Sequence, residues 1–196
     1  SFPLSQHRAD SIKNIIFTIY SKGELLSKST GGDFYVSDKL AEEIRNTGYV
    51  NTETIINDLK ASGKDDLRGI EFIDGKVSYN GFPGTEDPDT IQAWMKLCEA
   101  VNKACITQKR VLPKRNTETN EKFAFRTWLT RIGMNGPELK EERKIYYANL
   151  TGHTAFRTQA DEDKWKARQD EKRAELNAAK EQAQDITEES GVDDNE

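Results

Sequence analysis

Residues 69–80 read GIEFIDGKVSYN. This is the clearest β signal in the chain, and it separates an α+β fold from an all-helical one. Asp74-Gly75 is a favoured two-residue hairpin loop, because both residues tolerate the positive φ that such a turn demands. With that loop fixed, Phe72 faces Val77 and Ile70 faces Tyr79 on one side, while Glu71 and Ser78 share the other. An isolated hairpin is marginal in water, so this one must pack on helices or acquire a third strand. The short β-like run Phe34-Tyr35-Val36 is the expected third strand.

Everything around the hairpin reads as helix. Upstream, Ile12, Ile15, Ile16 and Ile19 have the spacing of a helix with one buried face, capped by Asp10 or Ser11. Gly23 is expected to interrupt it, with Leu25-Leu26 extending the apolar surface as far as Gly31-Gly32. Ser37, and then Asn51 or Thr52, suit the N-caps of two further helices, through Leu40, Ala41 and Ile44 and through Ile55, Ile56 and Leu59. Downstream, Asp87-Pro88 opens a helix with a capping carboxylate and a proline at the first helical position. Its expected core stripe is Ile91, Trp94, Met95, Cys98, Val101 and Cys105. The two cysteines are the only ones. They lie about 10 Å apart along a helix, too far for a disulfide with each other, and read as buried thiols.

Residues 121–157, EKFAFRTWLTRIGMNGPELKEERKIYYANLTGHTAFR, gather many of the aromatics and arginines. At 100° per residue Phe125, Trp128, Leu129 and Ile132 share one arc, which should face the core. Gly133 suits the position just past the helix end, and Pro137 the start of a second helix bearing Leu139, Tyr146 and Leu150. Arg143 falls within that second stripe and needs a carboxylate or carbonyl partner. Phe123 lies nearly opposite the buried arc. A helix-turn-helix reading fails on charge, because Glu138, Glu141 and Glu142 crowd the first turn of the would-be recognition helix.

The organisation expected is a predominantly helical α+β domain over 1–157, an extended charged helix over 158–184 and a disordered acidic tail over 185–196. Residues 161–196 carry 13 acids and 6 bases, net −7. The whole chain has 29 bases and 34 acids, so residues 1–160 retain 23 and 21, net +2. Within this body the stretch 106–131 is the most basic: Lys109, Arg110, Lys114, Arg115, Lys122, Arg126 and Arg131 stand against Glu118 and Glu121. A solvated loop is one reading of it; a surface meeting phosphates or an acidic partner is the other. No nucleophile elbow, phosphate loop or spaced set of metal ligands occurs, and His7 and His153 are the only histidines. No cofactor, metal or catalytic residue is therefore expected, although scattered carboxylates leave a metal-dependent nuclease as an alternative. No apolar run approaches a membrane span, and a soluble cytoplasmic protein that binds no membrane is expected.

One further signal is a resemblance. Glu121-Lys122-Phe123, Phe125-Arg126-Thr127-Trp128-Leu129, Arg131-Ile132-Gly133-Met134, Arg143-Lys144, Asn149-Leu150-Thr151-Gly152 and Ala155-Phe156-Arg157 together resemble a group of "virulence-related" proteins carried by mobile elements of Gram-positive bacteria. A weaker likeness lies in His7 and Ile19-Tyr20-Ser21-Lys22-Gly23. Asparagine is expected in relatives where this chain has His153, which weighs against a catalytic role there. The resemblance implies a non-enzymatic accessory protein that binds and inhibits a host nucleoprotein, in the manner of an anti-CRISPR acting on a type II effector nuclease. The alternative it leaves is a DNA- or RNA-binding accessory protein using the basic stretch. The candidate binding residues under either reading are Lys109, Arg110, Lys114, Arg115, Phe123, Arg126, Arg131, Arg143 and Arg157.

Overall fold

The computed structural model describes residues 1–189, and their side chains through 178. It divides into a unit from Ser1 to His153 and a second from Thr154 onward. The first is a mostly helical α+β fold. In chain order it contains β1 (Phe2–Pro3), α1 (Ala9–Thr30), β2 (Tyr35–Val36), α2 (Asp38–Asn46), α3 (Thr52–Ala61), β3 (Leu67–Arg68), β4 (Ile70–Ile73), β5 (Lys76–Tyr79), α4 (Pro88–Thr107), α5 (Glu121–Arg131) and α6 (Lys140–Tyr147).

The centre of this unit is α1. It packs against α2, α3, α4, α6 and β2. Its buried residues include Ile12, Ile15, Ile16, Phe17, Ile19, Leu25 and Leu26, with Asn14, Thr18, Ser21 and Ser29 on intervening faces. A helix buried on nearly all sides is the spine of a core. Each of its isoleucines stabilises the fold by about 1.5–3 kcal/mol relative to exposure. The expected interruption at Gly23 does not occur. The helix runs through it, and a Cβ there would lie 2.5 Å from the Phe34 carbonyl oxygen. Glycine at 23 allows the strand-forming backbone to press against the helix, so its role is close approach rather than termination.

The hairpin has the predicted register, with Phe72 opposite Val77 and Ile70 opposite Tyr79. Asp74 (φ 49°) and Gly75 (φ 68°) form its turn. The third strand differs from expectation. β1 occupies it, pairing Phe2 with Val77, and the sheet order is β1-β5-β4. Residues 35–36 pair instead with β3 in a separate two-stranded ladder. Gly69, at φ +83°, turns the chain between β3 and β4, so one segment serves two sheets.

The buried face of α4 is also rotated from the expected stripe. Ala93, Leu97, Val101 and Cys105 are buried, whereas Ile91 is 40% exposed and Met95 59%. The expected stripe omitted Ala93 and Leu97, which lie on the buried face. The larger residues line an open groove with Phe2, Tyr79 and Phe82. Burial pushes the Cys105 thiol up to about 11 and the half-buried Cys98 thiol to about 12, so both act as apolar filler.

The buried set of the α5–α6 pair is the expected one, but the second helix is shorter than expected: Pro137–Leu139 form a 3-10 turn, α6 ends at Tyr147, and Leu150 lies beyond it. Phe125, Trp128, Leu129, Tyr146 and Leu150 are buried, with Ile132 and Leu139 packed at their edge. Phe125 meets the rings of Trp128 and Tyr146 at 5.3 and 6.2 Å. Gly133, at φ +82°, closes α5: Met134 N–H donates to the Leu129 carbonyl and Gly133 N–H to that of Thr130. That pair of bonds is a Schellman motif. Tyr146 spans to α4 by donating to the Ala93 carbonyl at 2.5 Å.

The second unit holds α7 (Gln159–Glu189), which passes the expected end at 184. The expected disordered tail beyond it falls, from 190 on, outside the described residues. Thr158 and Asp161 cap the helix reciprocally, and Glu162 pairs with Lys166 at 2.8 Å. Trp165 is half exposed and meets Phe156 at 5.6 Å. No helix among the described residues is long and apolar enough to cross a membrane.

A basic cleft beside the central helix

The segment 108–118 has no regular secondary structure, yet a polar stripe on α1 holds it in place. Asn14 donates to the carbonyls of Cys105 and Gln108, and its own carbonyl accepts from Val111 N–H at 2.8 Å. One turn and two turns further along, Thr18 meets the Cys105 thiol and Ser21 donates to the Leu112 carbonyl at 3.1 Å. These polar side chains are buried because the end of α4 and the loop backbone supply their partners. The basic segment is therefore fixed to the core rather than freely solvated.

Between this segment, α1, the end of α4 and α5 lies a cleft of about 560 Å³. Lys22, Arg110, Lys114, Arg115 and Arg131 line it, and Glu118 is the one acidic side chain among them. Val101, Val111, Leu112, Trp128 and Ile132 form its apolar wall. Lys22 is half-buried; burial and the nearby Arg131 lower its pKa, partly opposed by Glu118. A second depression adjoins the cleft through Arg110 and Gln108, and Lys13, Arg45 and Lys109 line it with Asp10.

The expected binding residues thus divide. Arg110, Lys114 and Arg131 share the cleft, and Lys109 lines the depression beside it. Arg115 also lines the cleft, but its guanidinium is engaged elsewhere. It donates to Asp38 at 2.8 and 3.0 Å and to the Val36 carbonyl at 3.1 Å, and covers the Tyr20 ring at 4.3 Å. It ties the loop to the start of α2. Arg143 donates to the Gly136 and Met134 carbonyls and so braces the α5–α6 turn. Phe123 is half-buried and Arg126 exposed on α5; neither lines the cleft. Arg157 belongs to the second unit.

Lys22 was not among the expected residues. Its signal in the sequence is the stripe Asn14, Thr18, Ser21, where polar residues at helical spacing mark a face that meets the end of α4 and the loop after it. Among the described residues no group of three or more His, Cys, Asp or Glu side chains is placed to hold a metal ion. What the cleft can do chemically is hold an anion: several cations converge on a concave surface beside nonpolar area. Comparison with known proteins finds no matching family model, no matching curated protein and no matching solved structure.

Proposed function

We propose that the protein is a non-enzymatic nucleic-acid-binding accessory protein that engages phosphates along its basic cleft. The observation that carries this reading is the shared position of Arg110. It lines two adjoining hollows, with Lys22, Lys114 and Arg131 in one and Lys13, Arg45 and Lys109 in the other. A track of cations of this kind matches a repeating phosphate backbone better than it matches a single small anion. Neutralising the phosphates beside Lys22, Arg110, Lys114 and Arg131 predicts a log–log salt slope of about −3 on a single strand. Titrating labelled DNA and RNA at several salt concentrations tests this. Absent or salt-insensitive binding would refute it.

A second reading, anti-CRISPR-like inhibition of a host nucleoprotein, draws on α7. From Asp163 to Ala178 the helix is exposed throughout and carries both charge signs, a surface suited to another macromolecule. A type II effector cleavage assay with and without the protein distinguishes the two readings, since only the inhibitor reading predicts lost cleavage at substoichiometric nucleic-acid binding.

A further inference from the structure

We infer that the 560 Å³ cleft is built for single-stranded rather than double-stranded nucleic acid, with one backbone phosphate held between Lys22 and Arg131 and an unstacked base against the nonpolar wall. This rests on the nucleic-acid reading above.

Three observations support it. First, the cations line a concavity rather than a convex ridge, and a volume of about 560 Å³ suits a segment of one strand. A hollow of this size cannot admit the width of a paired duplex, whereas one strand can enter it. Second, Lys22 is half-buried beside Arg131, with only Glu118 to offset the two among the lining residues. Like charges held together at a partly desolvated place repel, and a phosphate between them adds attractions to both that outweigh the repulsion. Third, Val111, Leu112 and Ile132 line the same hollow, and Leu112 is 65% exposed. Single-strand binders set a surface for bases beside a charged groove; here aliphatic side chains provide it in place of aromatic rings, and a duplex keeps its bases stacked out of reach.

The closing experiment measures fluorescence anisotropy with the full chain and three probes: an oligothymidylate of about 12 nucleotides, a blunt duplex of equal length, and inorganic phosphate as competitor. Single strand is expected to bind at least about tenfold tighter than duplex, with phosphate a weak competitor. Arg131→Gln, at an exposed position, and Lys22→Gln are each expected to weaken single-strand binding about tenfold, while Lys60→Gln on α3 leaves it unchanged. Circular dichroism melting of each variant separates lost binding from lost folding, and Arg131→Gln carries the test if Lys22→Gln does not fold. Equal affinity for single strand and duplex overturns this inference and leaves the nucleic-acid reading standing. Binding of neither probe overturns both. Single-strand preference that survives both cleft variants overturns the location, and tight phosphate binding without oligonucleotide binding marks the cleft as a small-anion site and overturns the proposal.

Discussion

Arg115 and Lys22 line the same cleft, yet their partners give them different work. The Arg115 guanidinium is committed to Asp38, the Val36 carbonyl and the Tyr20 face. Arg115→Ala is expected to lower stability by about 1–2 kcal/mol in urea titrations, and Arg115→Lys to recover little, because an ammonium cannot reproduce the planar fork and the stacking. Glu121 is a comparable clasp. It accepts from Lys28 at 2.6 Å and from the Thr151 N–H and hydroxyl at 2.9 and 3.0 Å. The Lys28 bond first, and then the Thr151 amide, hold its carboxyl below the usual range. Its contribution is therefore complete above the ordinary glutamate range and disappears as pH falls through the lowered folded value. Denaturation series from neutral pH to about pH 3 should show Glu121→Gln less stable at neutrality and converging on the parent at the acid end. At this scale residue type foretold which apolar groups of α5 and α6 are core, and that Arg143 needs a carbonyl or carboxylate. It could not foretell Lys22, whose surroundings depend on a loop some 90 residues away in sequence.

Among elements, Gly23 provides the sharpest test. In an exposed helix Gly→Ala adds about 1 kcal/mol of stability. Here the new methyl group meets the Phe34 carbonyl, part of the backbone leading into β2, and cannot be accommodated by a rotamer change. Gly23→Ala should instead destabilise by about 1–3 kcal/mol, read as a lower denaturant midpoint. The contrast explains what was legible. The hairpin register was readable because its turn and its alternation lie within twelve residues of each other. Its third strand was not, since β1 pairs Phe2 with Val77 across half of the unit, and the turn at Gly69 sends β3 to a different partner. For α4 the apolar stripe that began at Ile91 and Met95 pointed to a flank that remains an open groove, whereas Ala93 and Leu97 face the core. Tyr146→Phe probes the α4–α6 joint directly: loss of its buried bond to the Ala93 carbonyl should cost about 1 kcal/mol without changing the helical circular-dichroism signal.

For the molecule as a whole, the compactness of the first unit predicts that residues 1–153 by themselves unfold in one cooperative transition, measurable by calorimetry. Removing the net-negative remainder should leave binding to oligonucleotides equal or stronger, because the expected track lies wholly within the first unit. Composition revealed this separation of charge, but only the packing around α1 showed which bases meet. That central helix also bears on how the protein is made. Ser29 near its end donates to the Tyr146 carbonyl, 117 residues later in the chain. At about 5–20 residues per second a ribosome needs on the order of ten seconds to supply that partner. During the interval the isoleucine-rich helix can pack on β2, α2 and α3, but the faces covered by α4 and α6 stay open, so its enclosure is completed only late in synthesis.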